Sequence, residues 1–323
     1  MTRFTWLGTL VTLSAACDLP TASEPPRTTT PLESVPFEAI GPGKVLFQRI
    51  AGDGLAWYLI DGSAQTSRIA FNDPLILGAA ISPDGQRVAF SRFMTDPSIS
   101  YDLFVSGIDG SGSTRLTQSD INERHPTWVP DGTQIVYYNG ASKYVRQSPV
   151  ANTSDVAVIV SVTVPGCFDG WGAPAVVSAR GELSFPCRYT IHKTASNGQN
   201  TTILYAAADS LSVFAPAWSA DGRRLAFLEA GEDSLYVRVM GDDGSSPVTL
   251  ATLPTVSRTK RRFTVYLPNT FSMCWSTDDS RLFFSALEPD ERAHIWVVLA
   301  DGTGLRQLTT RSDGSDINVS CAR

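Results

Sequence analysis

The chain has 323 residues, of which 42% are hydrophobic and 18% are charged, so it can bury the core of an ordinary globular protein. Its formal net charge of −6 argues against nucleic-acid binding through a broad basic face. Three histidines and five cysteines without a CxxC spacing predict neither a metal site nor another cofactor.

The N-terminal segment is typical of an exported protein. Residues 1–16 combine one arginine, a short apolar run and small residues, which predicts a secretory signal peptide too short to span a membrane. Residues 14–17 (SAAC) resemble the lipobox of bacterial lipoproteins, although Leu13 stands one residue further from the cysteine than in that family. The resemblance implies acylation of Cys17. The alternative is ordinary cleavage after Ala16, which would release a soluble product.

A polar linker follows the cysteine. Residues 17–40 are rich in proline, threonine and serine and have no apolar period, which predicts a disordered tether. Together with lipidation, this predicts a protein of the cell envelope, held by its lipid and facing the periplasm or the exterior.

Residues 41–323 repeat one unit, which consists of an apolar strand, a tight turn and a second apolar strand. The clearest copies are GAAISPDGQRVAFSR, HPTWVPDGTQIVYYN, AWSADGRRLAFLE and SMCWSTDDSRLFFSA. Asp-Gly between apolar runs is a strong hairpin signal, because glycine adopts positive φ without steric cost. Two further short strands follow each hairpin. Six such units without a helical period predict an all-β fold, a six-bladed β-propeller of four-stranded antiparallel blades.

The two ends of the chain predict how the ring closes. The C-terminal DINVSCAR follows RQLTT as DINERHPTW follows STRLTQ, so it should be an inner strand that pairs into the first blade. Such pairing would remove the free sheet edges of an open array. One blade, APAVVSARGELSFPCR, is degenerate, with Val177 and Arg180 in place of the repeat's Trp and Asp.

The repeats resemble the WD-like repeats of TolB-type periplasmic propellers, whose signature is P-x-W-S-P-D-G-x-x-I-A-F. The resemblance covers residues 41–323. TolB itself has an α/β domain before its propeller, where this chain has the tether, so no role of that domain is implied. The matching residues form turns and core, and the resemblance therefore implies the fold but no site residue.

The tryptophans divide into two groups. Trp128, Trp218 and Trp275 occupy the same place in three blades, which predicts packing between blades. Trp171 lies off this register in a loop, where a ligand contact is the alternative to packing.

Loops that precede inner strands should gather at the mouth of the central channel, where propellers bind ligands. We predict ligand or partner contacts from the polar and aromatic residues there: Arg124, His125, Asp169, Trp171, Asn269, Asp316 and Asn318. The loop of residues 253–270 breaks the repeat spacing and carries a basic cluster of Lys260, Arg261 and Arg262. This cluster predicts either a solvated hairpin or a contact for an acidic partner or anionic lipid.

The repeat register also predicts a disulfide. Cys274 precedes the motif Trp275, and aligning SMCWS with NVSCAR places Cys321 at the motif Trp position of the neighbouring blade. Because side chains alternate along a strand, the two cysteines could face each other. Cys167 and Cys187 would form the second pair. Free buried thiols are the alternative, although an oxidising compartment favours disulfides.

These features favour a monomeric, lipid-anchored propeller that binds a protein or an envelope polymer and has no catalytic activity. One alternative is a propeller enzyme that acts on glycans at the channel mouth, and another is a structural module of an envelope assembly. The sequence contains no G-x-S-x-G nucleophile elbow, which argues against a self-contained hydrolase.

Overall fold

The computed structural model describes residues 40–41, 43–52, 54–61, 66–68, 73, 75–96, 99–140, 143–147, 156–161, 174–208, 211–256, 271–310 and 314–322. Strands provide nearly all the regular structure in these ranges. Within them, no helix has both the length and the apolar character needed to cross a lipid bilayer.

The strands of the described residues form six antiparallel sheets of four strands each. In hydrogen-bonded order, the first sheet contains β24 (Gly314–Cys321), β1 (Val45–Ala51), β2 (Gly54–Ile60) and β3 (Thr66–Arg68). The second contains β4 (Ile76–Ile81), β5 (Arg87–Met94), β6 (Ser100–Gly107) and β7 (Thr114–Arg115). The third contains β8 (Glu123–Trp128), β9 (Ile135–Asn139), β10 (Lys143–Gln147) and β11 (Val156–Ser161).

The other three sheets repeat this plan. The fourth contains β12 (Val176–Val177), β13 (Leu183–Cys187), β14 (Thr190–Thr194) and β15 (Thr202–Ala206). The fifth contains β16 (Ser212–Trp218), β17 (Arg224–Ala230), β18 (Ser234–Gly241) and β19 (Val248–Pro254). The sixth contains β20 (Met273–Trp275), β21 (Arg281–Leu287), β22 (Ala293–Leu299) and β23 (Arg306–Gln307). The predicted all-β propeller of small antiparallel sheets is confirmed.

The first strand of each sheet lies innermost. Strand β4 contacts β8, and the series of contacts runs through β12, β16, β20 and β24 back to β4. Clusters of buried apolar side chains fill the junctions between neighbouring sheets. At the junction of the first two sheets, for example, Leu46 and Trp57 pack with Val88 and Phe90. Burial of these side chains is the main force that holds the sheets together.

The C-terminal strand joins the first sheet. Strand β24 pairs antiparallel with β1 from Cys321 opposite Val45 to Gly314 opposite Ala51. The predicted disulfide between Cys274 and Cys321 is present, with the two Cα atoms 5.6 Å apart. It links the innermost strands of the sixth and first sheets.

Cys187 also takes part in a disulfide. Cys167, its predicted partner, lies outside the described residues. Cys187 ends β13 in the fourth sheet, the degenerate copy of the repeat.

The repeated turns are held by a short network of side chains. Ser219 Oγ donates to Asp221 Oδ1 at 2.6 Å, and this hydrogen bond lowers the pKa of Asp221. Gly222 follows with a φ of 66°, in the left-handed region that favours glycine. In the sixth sheet Asp279 stands at this place with a φ of 54°. Its carboxylate accepts a hydrogen bond from the Ala220 amide at 2.8 Å, which offsets the backbone strain.

The motif tryptophans join neighbouring sheets, as predicted. The indole N–H of Trp128 donates to the carbonyl of Ala80 at 3.0 Å, and that of Trp275 donates to the carbonyl of Ala217 at 3.0 Å. Each acceptor belongs to the innermost strand of the preceding sheet. Trp218, at the same place in the fifth sheet, is fully buried. The repeat spacing of tryptophan therefore serves packing between sheets.

Candidate functional site

Three of the innermost strands carry a bulge at one repeated position. His125, Ala215 and Asn318 have φ values of 55°, 52° and 55°, and the pairing register shifts beside each of them. Proline follows two of these residues, as Pro126 and Pro216. Bulges bend a strand and redirect its side chains. All three bulged residues line the cavity at the centre of the fold.

The central cavity has a volume of about 140 Å³ and is lined by the innermost strands of all six sheets. Its polar side chains come from His125, Thr127, Ser272, Asn318 and Ser320, and small apolar residues supply most of the rest. The described lining contains no Asp, Glu, Lys or Arg, so an ion would be buried without an opposite charge. Typical ligand pockets are about 300–1,000 Å³. The cavity therefore suits a few waters or one uncharged side chain better than a large ligand.

Arg124 does not extend freely into the channel mouth. Its guanidinium carbon lies 4.5 Å from the centre of the Tyr101 ring, and the residue is buried. This burial lowers the pKa of Arg124. The structure thus gives Arg124 a packing contact with the second sheet, whereas its neighbour His125 reaches the cavity.

The side chains of Asp316 and Asn318 hold β24 against its neighbour β1. The Asp316 carboxylate accepts two hydrogen bonds from Arg49, Nε to Oδ1 at 2.6 Å and Nη2 to Oδ2 at 2.7 Å. Both side chains of this ion pair are only 3% exposed. Asn318 Nδ2 donates to Gln48 Oε1 at 2.7 Å while the residue also lines the cavity. Among the described candidates, His125 and Asn318 therefore both line the cavity, whereas the side chain of Asp316 is paired with Arg49 within the first sheet.

The other predicted site residues are outside the part of the chain that the structure describes. They are Cys17, Asp169, Trp171, Lys260, Arg261, Arg262 and Asn269. The predictions for lipidation, for the basic cluster and for the off-register tryptophan remain predictions.

The histidines do not converge. His125 lies on β8, whereas His192 on β14 stacks on Phe185 with ring centres 5.4 Å apart. On β22, the Nδ1 atom of His294 lies 3.0 Å from Glu288 Oε1. Among the described residues, no cluster of His, Cys, Asp and Glu could hold a metal ion.

Four exposed apolar side chains lie at the same end of their sheets, and the sequence analysis did not predict them. We call this end, where the innermost strands begin, the mouth face. Ile50 lies at the end of β1, and Leu75, Ile99 and Ile121 lie immediately before or near the starts of β4, β6 and β8. Each of these side chains is more than a third exposed, and Ile99 is 75% exposed. The available signal was an isolated isoleucine in a polar loop, as in DPSIS and SDINER.

Comparison with known proteins shows likeness of fold. The chain matches no protein-family model. It is 33% identical to dipeptidyl-peptidase 5 of Porphyromonas gingivalis over 61 residues, which is 18% of this chain and 9% of the peptidase.

Solved propeller structures match much more of the chain. TolB from Acinetobacter baumannii superposes with a TM-score of 0.66 at 16% identity, over 87% of this chain and 66% of that one. A putative TolB from Agrobacterium tumefaciens superposes with a TM-score of 0.56 at 12% identity, over 87% of this chain and 98% of that one. A chain of a nidogen/laminin complex superposes with a TM-score of 0.62 at 12% identity, over 87% of this chain and 99% of that one. The predicted likeness to TolB-type propellers is confirmed at the level of the fold.

Proposed function

We propose that this chain is an exported, lipid-anchored, closed six-bladed propeller that binds a protein partner at its mouth face without catalysis. The exposed apolar side chains of Ile50, Leu75, Ile99 and Ile121 carry the proposal. Apolar side chains gathered on one surface mark sites of protein interaction. An envelope polymer such as a glycan is a less suitable ligand, because aliphatic side chains offer it few hydrogen bonds.

Two observations support the closed ring of six blades. The pairing of β24 with β1 places the first and last strands of the described residues in one sheet. The contacts between innermost strands return from β24 to β4. A closed ring provides a rigid surface, which lowers the entropy lost on binding.

The structural neighbours support a binding role. One of these neighbours is a chain of a nidogen/laminin complex. A propeller fold of this shape is thus compatible with participation in a protein complex. At 12% identity, that neighbour provides no residue of the interface.

We test the binding surface with the soluble form that begins at Asp18, immobilised and exposed to an envelope extract. The double variant Ile99→Asp with Ile121→Asp should reduce the captured partner at least about tenfold, because charges would replace apolar contacts. Its melting temperature should stay within a few degrees of the wild type, since substitutions of exposed side chains usually have small effects.

A matched control distinguishes this face from general stickiness. Ile203 and Val248 are also strongly exposed, but they lie on the outer strands β15 and β19. The double variant Ile203→Asp with Val248→Asp should retain the captured partner. Equal loss in both variants, measured by quantitative mass spectrometry, would move the interface away from the mouth face, and capture of a glycan alone would favour the polymer.

The lipid anchor has its own test. Replacing Cys17 with serine should abolish palmitate labelling and release the chain into the soluble fraction, because one cysteine would carry all the acyl chains that hold it. Ser14→Ala is the control that leaves the cysteine in place. Labelling that persists in the Cys17→Ser variant contradicts lipidation at this residue.

A further inference from the structure

Two buried carboxyl groups lie where the second and third sheets meet, and only one of them is paired with an arginine. Asp102 on β6 is fully buried, and Glu123 at the start of β8 is 4% exposed. Arg115 forms an ion pair with Asp102 Oδ2. Glu123 instead accepts hydrogen bonds from the hydroxyl groups of Ser119 at 2.7 Å and Thr117 at 2.9 Å.

The first sheet has an arginine opposite its buried carboxyl group, whereas the third sheet has none. Asp316 occupies in β24 the place that Glu123 occupies in β8, and the residue opposite it is Arg49. The residue opposite Glu123 is Asn139. An amide offers no charge to offset a carboxylate, so an ionised Glu123 is not neutralised across the strand pair.

One oxygen of Asp102 is available to accept a hydrogen bond. Asp102 Oδ1 is buried and accepts no hydrogen bond from the described residues. Glu123 lies within interaction distance of Asp102, and burial together with the Asp102 carboxylate raises the pKa of Glu123. Two carboxylates in one buried site repel each other, and a single proton converts the repulsion into an O–H···O⁻ hydrogen bond.

We propose that a protonated Glu123 donates a hydrogen bond to Asp102 and that the two side chains form a pH-sensitive junction between the second and third sheets. In the protonated state the Glu123 O–H donates to Asp102 Oδ1. On deprotonation the proton passes to water, and two like charges remain at the contact between β6 and β8. This loosens the start of β8, the strand that carries Arg124 and His125. The inference goes beyond the proposed binding function and requires no partner.

The other groups at the junction do not supply the missing charge. Arg115 is engaged by Asp102, and Arg124 stacks on Tyr101. Tyr137 on β9 stays neutral, because burial and the nearby Glu123 charge raise its pKa.

The pH window follows from the titration of Glu123. Burial, with a further contribution from Asp102, raises the pKa of Glu123 to about 7 from its ordinary value of 4.5. Between these values the folded chain binds a proton that the unfolded chain does not. The stabilising contribution is therefore complete below pH 4.5 and is lost as the pH rises through 7. Between pH 4.5 and 7, the titration of Glu123 should increase the equilibrium constant for unfolding about tenfold per pH unit.

The test compares urea unfolding of the wild type and the Glu123→Gln variant from pH 4.5 to pH 8. Glutamine keeps the size of the side chain, stays neutral and can donate to Asp102. Relative to the variant, the wild-type unfolding constant should increase about 300-fold across the window, as expected for a shift of this size. Asp120→Asn, an exposed carboxyl of the same loop, is the matched control and should follow the wild type.

Two direct measurements accompany the unfolding curves. The carboxyl ¹³C signal of Glu123 in the wild type should titrate near pH 7. Hydrogen exchange, corrected for its intrinsic pH dependence, should accelerate in β6 and β8 above that pH and not in β17. A Glu123 signal that titrates below pH 5, or parallel unfolding curves for the wild type and the Gln variant, would overturn the proposal.

Discussion

Replacing Arg49 with methionine is expected to lower the free energy of unfolding by about 3–5 kcal/mol, because Asp316 would remain buried without an opposite charge. The two side chains form a two-pronged ion pair and are each 3% exposed. The Arg49 guanidinium also lies 5.1 Å from the centre of the Tyr58 ring and 5.5 Å from that of Phe47. The lost stability should appear mainly as weaker pairing between β24 and β1.

Two further variants separate the buried charge from the loss of packing. The double variant Arg49→Met with Asp316→Leu removes both charges and should recover most of the stability, because apolar replacements of a buried pair are often nearly neutral. Arg92→Met is the matched control, since Arg92 has the same place in the second sheet and its pair with Asp73 is partly exposed. That loss should be at most about 1 kcal/mol. Equal losses for Arg49→Met and Arg92→Met in urea unfolding would contradict a special role for the buried pair.

The repeat made most of the fold predictable from the sequence. Asp-Gly turns between apolar strands recur along the chain, so a hairpin predicted clearly in one copy is also predicted in the less regular copies. The recurrence also indicated that Trp128 and Trp275 pack between sheets, since a residue used once per repeat serves the repeated contact. The end-to-end pairing was predictable because the C-terminal strand continues the repeat at the place where the first unit lacks its inner strand.

The site was less predictable, because burial near the channel depends on partners distant in the sequence. Asp316 was assigned to the mouth by its position in the repeat, but Arg49, 267 residues away in the sequence, draws it into the sheet. Arg124 was assigned there for the same reason, and Tyr101 of the neighbouring sheet covers it. Neither partner is set by the repeat pattern, since the residue equivalent to Arg49 in the third sheet is Asn139.

The exposed isoleucines show the opposite difficulty. Isoleucine is among the residues that are most often buried, so the polar neighbours of Ile99 were a weak sign of its exposure. The fold shows the difference: Ile76 is buried among the first two sheets, whereas Ile99 is 75% exposed. Recognition of the mouth face therefore required the arrangement of all six sheets.

Loss of the disulfide between Cys274 and Cys321 is expected to lower the free energy of unfolding by about 4 kcal/mol, the chain-entropy value for a separation of 47 residues. The double variant Cys274→Ala with Cys321→Ala avoids an unpaired thiol and keeps the site apolar. Because the disulfide fastens β24 to β20, the amides of β24 and of β1 should exchange hydrogen faster in this variant than the amides of β17. Cys187→Ala is the control for loss of a disulfide elsewhere and should leave exchange in β24 unchanged.

Non-reducing peptide mapping of the wild type should recover one peptide that contains both Cys274 and Cys321. Free thiols at both positions, or unchanged exchange in β24 of the double variant, would show that the pairing of β24 with β1 does not depend on this bond.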